Sequence, residues 1–380
     1  MINFIKESKD KINRFLRKKR QKRLKNRVKT LRESFETFKE EVKFGEMKKS
    51  LYRYERIFES NSTKTLEENQ PFIIFHYASH GVYNSRNLGD YIQSIATQKA
   101  VTQGFKNANF KHFDRNTLSF YLQQGWGGGV VLMQGWFAQG FDFLPNANLT
   151  SVFIGTHFTQ ETQNFLKYFI AHFPHYFENK EIGCRDAFTL EFLQNLGLKA
   201  YFSRCLTSIL PKREPKATQT KVFFVGFDKK LLAYVPKNLQ ESGEFIEQQW
   251  VELVDSSEEH CFKLTQDLLK RYENEAKLII TSALHCALPA TALAIPVVFI
   301  RTSEEQKTRF STLKGIIPIY SVEDLKQGKV DFNPKAPDIE ALKEAMLENI
   351  RLSILKEKGE NIDEAKLEAL REFIAKFQVN

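Results

Sequence analysis

The sequence predicts an α/β protein with parallel, doubly wound sheets, divided into two domains. Three observations carry this. The chain has 380 residues, more than one average domain. Short apolar runs alternate with amphipathic stretches, as β and α elements do when they follow one another. The segment PKREPKATQTK at 211–221 is rich in Pro and Lys, has no periodicity and interrupts that alternation.

The elements follow in order. Residues 3–58 hold no Pro and a single Gly, Gly45, and read as helix. Ile5, Ile12, Leu16, Leu24, Val28 and Leu31 fall loosely on one face of it, with RKKRQKR between them. Residues 1–30 carry thirteen Lys or Arg against Glu7 and Asp10, a net +11. The whole chain is +10, so the remaining 350 residues sum to −1 and the basic character belongs to this arm. Such a helix suits an anionic lipid surface, where each nearby cation adds about 1 kcal/mol. The alternatives are a solvated helix or an arm that docks a partner. A nucleic-acid enzyme would spread basic charge over its working face, so no nucleic-acid partner is expected. The N-terminus lacks the apolar core of a secretory signal, and no apolar run reaches the roughly 18 residues of a membrane span.

The domain plan is then an arm at 1–58, a polar linker at 59–70, a first domain at 71–215, a second at 216–335, and C-terminal helices at 336–380. The first domain opens on the strand FIIFHYA and a helix from about Asp90 to Gly104. The strands VVLMQG and SVFIGTHF follow, then a helix near 160–173, EIGCRD before a helix at 187–196, and the strand KAYFS. The second domain reads VFFVGF, a helix, FIEQQWVEL and a helix from about Ser257 to Tyr272. It closes with AKLIITS, a helix from Leu284, IPVVFI and IIPIYS. Cys184, Cys205, Cys261 and Cys286 form no CxxC pair and no metal-ligand spacing, and read as buried free thiols in a reducing compartment.

Several strand ends hold residues that carry chemistry. Asn87, Gly89 and Asp90 lie where a strand turns into a helix, a place that offers free N–H groups to an anion. Asp90 is either a carboxylate for catalysis or a plain N-cap. GWGGG at 125–129 precedes a strand rather than following one, so it fits neither a dinucleotide fingerprint nor a P-loop. Trp136 and Phe137 line a cleft or a core. His157 ends a buried strand, where ligands of open α/β sheets gather, although a satisfied structural histidine is the plainer alternative. Arg185 and Asp186 precede a helix; Arg is a natural fork for carboxylate or phosphate, and the alternative is an internal Arg–Asp pair with a cap. Ser203 and Arg204 end another strand, and so do Thr281 and Ser282. His285 opens the next helix, as an acid or base near neutral pH would.

Taken together and in order, NLGDYIQSIATQ, VVLMQGWF, IGTHF, IGCRDAFTLEFL, AYFSRCLTSIL and TSALHCALPATALAIPVVFI resemble blocks of the polysaccharide pyruvyl transferase family over about 72–320. The resemblance implies two Rossmann-like domains arranged as in B-type glycosyltransferases, with the active site between them and terminal helices packed back across. It implies transfer of pyruvate from phosphoenolpyruvate onto a sugar as a ketal, with no metal or other cofactor. His285 would be general acid or base, Asp90 a general base or acceptor carboxylate, and His157 a second proton-transfer group. Arg185, Arg204 and Ser282 would hold the donor, and Asn87 and Trp136 the acceptor. Two positions depart from the family pattern. Ala283 stands where an Arg of an Arg-Leu-His triplet is usual, and Arg204 where a Gly is usual. Arg204 is therefore expected to restore the missing cation. A nucleotide-sugar glycosyltransferase and a non-catalytic relative are the alternatives. The expected partner is a glycan or lipid-linked sugar of a bacterial cell surface, met in the cytoplasm at the inner membrane; the sequence assigns no oligomeric state.

Overall fold

The computed structural model describes residues 25, 29, 40–58, 70–77, 85–124, 127–138, 140–249, 251–252, 257–303 and 308–379. Of the arm at 1–58, residues 25, 29 and 40–58 are described; the rest of it, and the linker except residue 70, lie outside these residues. The surface expected for residues 1–30 lies outside them with the arm. The chain divides into two compact units, residues 1–55 and 56–380. Residues 40–58 are helical (α1). No helix among the described residues is long and apolar enough to cross a membrane.

Both α/β halves fall within the second unit. The first half runs β1 (Phe72–His76), β2 (Ser85–Arg86), α2 (Leu88–Gly104), β3 (Phe110–Asp114), β4 (Gly129–Leu132), β5 (Gly135–Phe137), β6 (Leu149–Val152), β7 (Thr156–Phe158), α3 (Gln160–His172), β8 (Ile182–Cys184), α4 (Ala187–Asn195) and β9 (Ala200–Phe202). The second half runs β10 (Lys221–Val225), α5 (Lys237–Ser242), β11 (Gly243–Ile246), β12 (Val251–Glu252), α6 (Glu258–Glu275), β13 (Ala276–Thr281), α7 (Leu284–Ala292), β14 (Val297–Arg301), β15 (Ile319–Ser321) and α8 (Val322–Lys326). Then come α9 (Glu340–Glu357) and α10 (Glu364–Lys376).

All pairings within the three larger sheets are parallel. The second half is one sheet in the order β11-β10-β13-β14-β15. That order reverses direction between β10 and β13, so a crevice opens beyond their carboxyl ends, where ligands of such sheets bind. The first half has two sheets, β3-β1-β4-β6 and β5-β7-β8-β9. Each of the expected strands VVLMQG and SVFIGTHF is in fact two. Gly135 (φ 102°) and Gly155 (φ 71°) take left-handed backbone that ends the extended run, and Gly135 N donates to Gly155 O at 3.0 Å across the two bends. The crevice of this half lies beyond β1 and β4. The strand β3, FKHFD, escapes sequence reading because only Phe113 is buried and its charges mask any apolar run.

Buried strands explain the near-continuous apolar runs. Phe72 to Phe75 are all buried, as a parallel strand covered on both faces requires. In the second sheet, Phe223, Val225 and Ile279 face a core shared with α2, α7 and α9, whereas Val222, Phe224 and Ile280 face a separate outer layer. The C-terminal helices return to the first half: α9 packs on α2 and β6, and α10 on α9 and β9. Cys184, Cys205, Cys261 and Cys286 are buried free thiols.

Candidate functional site

The site forms where α2 of the first half meets α7 of the second. Asn87 caps α2, its Oδ1 accepting from Gly89 N at 3.0 Å. Asp90 is therefore not the cap. Its carboxylate, 2 % exposed, is left for other partners. Asp90 Oδ1 accepts from Gln93 Nε2 at 3.0 Å and stands 3.8 Å from His285 Nδ1. Gly89 permits this approach, since a Cβ there would lie 2.8 Å from the His285 Cβ. Asn87 therefore serves as the helix cap.

Helix α7 is anchored from beneath. Thr281 Oγ1 donates to Val225 O at 2.7 Å and accepts from Ala283 N at 2.9 Å, tying the start of the helix to β10. Ala283 supplies no side-chain cap. Ser282 is half-buried, and its Oγ has no hydrogen-bond partner among the described residues. Pro289 lies four residues after His285 and has no N–H to bond the His285 carbonyl. Gln248 fills that gap: its Nε2 donates to His285 O at 3.1 Å, its Oε1 accepts from the Tyr272 hydroxyl at 2.9 Å, and its backbone carbonyl accepts from Leu88 N at 2.9 Å. One residue thus fixes both helix starts.

Arg185 and Asp186 follow β8. Arg185 is fully buried. Its Nη1 donates to Gln93 Oε1 at 3.2 Å and to His285 Nε2 at 3.1 Å. A guanidinium only donates, so His285 Nε2 accepts this bond, while Nδ1 lies 3.5 Å from Gln93 Nε2 and 3.8 Å from Asp90 Oδ1. Arg185 Nε is 3.5 Å from Asp186 Oδ2 without forming a hydrogen bond, and Nη2 has no partner among the described residues. Asp186 caps α4 through Thr189 N at 3.0 Å, and its Oδ2 takes His157 Nδ1 at 2.6 Å. His157, on β7, pairs in register with Trp136 on β5.

Electrostatics set the proton states. Burial, then Arg185, Arg309, His157 and Arg115, hold His285 well below the usual imidazole range. Burial raises Asp90 above the ordinary carboxylate range against the pull of Arg115, Arg185 and Arg309. The two shifts run in opposite directions, favouring the neutral form of each group. Burial brings His157 down to about 4 although Asp186 opposes it, so it is a neutral donor to that carboxylate. Asp186 is lowered despite its burial, chiefly by His157 and Arg185.

The structure brings Asp90, Arg185 and His285 together, with His157 one step behind through Asp186. Trp136 is half-buried, and the Arg309 guanidinium lies 6.0 Å from its ring centre. Arg204 is a correction. Its backbone is left-handed (φ 59°), and its guanidinium is spent on four carbonyls: Ile374 (2.9 Å), Thr312 (2.9 Å), Lys314 (3.1 Å) and Phe377 (2.9 Å). It latches the C-terminal helices onto the first half and has four of its five N–H groups on carbonyls. Sequence reading missed Gln93, Arg115, Gln248 and Arg309. Only Gln93 had a signal, lying one helical turn from Asp90 on the same face. A separate cavity of about 470 Å³, lined by Phe58, Pro145 and Tyr176 among others, includes none of these residues. No cluster of His, Cys, Asp or Glu among the described residues is built to hold a metal.

Two parallel-sheet halves thus bring a carboxylate, an imidazole and an incompletely bonded arginine together. The polysaccharide pyruvyl transferase family model matches residues 87–304, more than half of the sequence, and the chain belongs to that transferase family. No curated protein matches the sequence. Among solved structures, a functional uncharacterized protein KP1_0663 from Klebsiella pneumoniae subsp. pneumoniae NTUH-K2044 is similar at 14% identity, over 65% of this chain and 88% of that one, with a TM-score of 0.38. Two structures of the wall teichoic acid polymerase TagF are similar at 8% and 9% identity. They cover 87% and 86% of this chain and 93% of their own, with TM-scores of 0.38 and 0.39.

Proposed function

We propose that this chain transfers a pyruvyl group from phosphoenolpyruvate to two hydroxyls of a sugar in a bacterial cell-surface glycan, forming a ketal. The observation that carries this is Arg185: a fully buried guanidinium with open N–H groups, 3.1 Å from a neutral imidazole. A buried cation left partly unsatisfied is costly, and an anionic donor removes that cost.

The reaction balances as follows. The donor methylene takes a proton and becomes a methyl group. One sugar hydroxyl adds to the adjacent carbon and releases its proton. The second hydroxyl adds as the carbon–oxygen bond to phosphate breaks, and its proton leaves with the phosphate. Neither a metal nor a redox cofactor is needed for that balance. The donor carboxylate sits on Arg185, with Ser282 and the uncapped start of α7 nearby. Its negative charge offsets the arginines that depress His285, so donor binding raises the proton affinity of the ring just when it must accept the hydroxyl proton. Asp90, with its raised proton affinity, passes a proton to the methylene. His157 holds Asp186, and through it the Arg185 corner. Trp136 offers an aromatic face to the acceptor ring. The acceptor is lipid-linked, and the basic residues of 1–30 keep the enzyme at the cytoplasmic face of the membrane.

Thermal unfolding against ligands tests this. A ligand bound only to the folded chain, at about 100 times its dissociation constant, adds about 2.7 kcal/mol. The expected result is a rise of roughly a few degrees with phosphoenolpyruvate and none with nucleoside diphosphates. A rise with a nucleoside diphosphate alone would replace the reading with sugar transfer.

A further inference from the structure

Arg309 is absorbed by none of the family blocks, yet it stands at the cleft. It belongs to the 3-10 segment Thr308–Leu313, which follows β14 and carries Phe310 into the core against Phe299 at 5.0 Å. Two residues on, Ser311 Oγ accepts from Ala187 N at 2.7 Å, which clamps the segment to the Arg185–Asp186 corner. The guanidinium faces the Trp136 ring at 6.0 Å. Its Nε is buried without a hydrogen-bond partner, and among the described residues the side chain forms no ion pair. Burial brings it down to about 10, with Arg185 opposing its charge and Asp186 and Asp90 favouring it from a distance.

Arg185 and Arg309 oppose one another, and Asp186 and Asp90, which both cations share, sit nearer Arg185, so the pair suits an anion of more than one charge. Arg185 is already partly compensated by Asp186, 3.5 Å from its Nε, and is sealed from solvent. Arg309 makes no ion pair among the described residues and is half-buried.

We propose that Arg309 holds the phosphate of the donor while Arg185 holds its carboxylate, so that Arg309 sets the requirement for a phosphorylated donor. The division follows from the chemistry. The carboxylate stays with the product and belongs on the deep, fixed cation. The phosphate leaves and belongs on the cation nearer the solvent, braced by Trp136. This rests on the transfer reading above, and it supplies from a different part of the chain the cation that Ala283 lacks.

The test measures binding of phosphoenolpyruvate, inorganic phosphate and pyruvate to the full chain and to Arg309→Gln and Arg309→Lys. In Arg309→Gln, phosphoenolpyruvate should bind about 100-fold more weakly and inorganic phosphate should no longer register, while pyruvate changes less than about twofold. Arg309→Lys keeps the charge but loses the planar fork, and should fall between, about tenfold weaker. It also serves as the readout should the Gln variant not fold. If the unaltered chain binds phosphoenolpyruvate and both variants bind it equally well, the role of Arg309 is overturned and the transfer reading stands. If the unaltered chain binds neither phosphoenolpyruvate nor phosphate, the transfer reading falls and takes this one with it.

Discussion

Arg185 and Arg204 follow neighbouring parallel strands, β8 and β9, and both are sealed from solvent, yet they do opposite things. Arg204 gives four of its five N–H groups to backbone carbonyls, at least one from each nitrogen. Arg185 spends one nitrogen on Gln93 and His285 and keeps Nη2 open. Burial alone does not separate a structural cation from a functional one. What separates them is whether the protein itself completes the hydrogen bonding.

The sharpest way to break that comparison is to delete each in turn. Arg185→Ala should cost about 10²- to 10³-fold in kcat/KM with little change in urea denaturation. Arg204→Ala should do the reverse, losing about 4 kcal/mol of stability because it strands buried carbonyls. A stable Arg204→Ala enzyme with no turnover would collapse the distinction.

Acid should act next, and only on the Arg185 side. His157 titrates at about 4 when folded and near 6.5 when unfolded, so it is neutral in the folded chain. Its contribution is full above about 6.5 and is lost as pH falls toward about 4, some 3 kcal/mol in all. Asp186, lowered in the fold, adds to the loss below the ordinary carboxylate range. Denaturation curves at pH 7, 5.5 and 4.5 should show the slope, and His157→Gln should flatten it. The Arg204 latch has only carbonyl partners and should contribute none.

A third probe crowds the site without touching either arginine. Gly89→Ala would place a Cβ 2.8 Å from that of His285 and push α2 away. A displacement of this kind costs on the order of 10²-fold in turnover, through geometry rather than charge. Unaltered kinetics would mean the helices give way freely there. The smallest effect lies with the ion pairs beside the latch. Glu348, brought down to about 2 chiefly by Arg351 and then by Lys366, stabilises the α9–α10 contact above about pH 4.5 and loses that effect as pH falls through 2. Partly exposed, it is worth about 0.5 kcal/mol, and Glu348→Gln in a neutral-pH melt should show no more.

The sequence exposed much of this design. Asp90, Arg185 and His285 were legible because each stands at the end of an apolar run, where strand gives way to helix. The two-half plan was legible for the same reason. Gly135 and Gly155 were read as parts of single strands because an apolar pattern carries no sign of a positive φ. Arg115 and Arg309 sit in 3-10 segments, which have no periodicity to flag them. Arg204 misled because its partners lie 108 to 173 residues further along, and carbonyls belong to every residue type alike. A further cation, Arg309, stands beside Trp136.

The latch on Arg204 has a consequence for how the molecule is made. Its strand is among the last of the first half, but Ile374, one of the groups that secures it, emerges from the ribosome 170 residues later. At roughly 5 to 20 residues per second that is a wait of about 10 to 30 s. Through that interval the latch is incomplete, since only the Thr312 and Lys314 carbonyls come earlier, and the surface for α10 lies bare. A cell making this protein must either shelter that surface with a chaperone or accept that the first half stays loose until the chain is nearly complete.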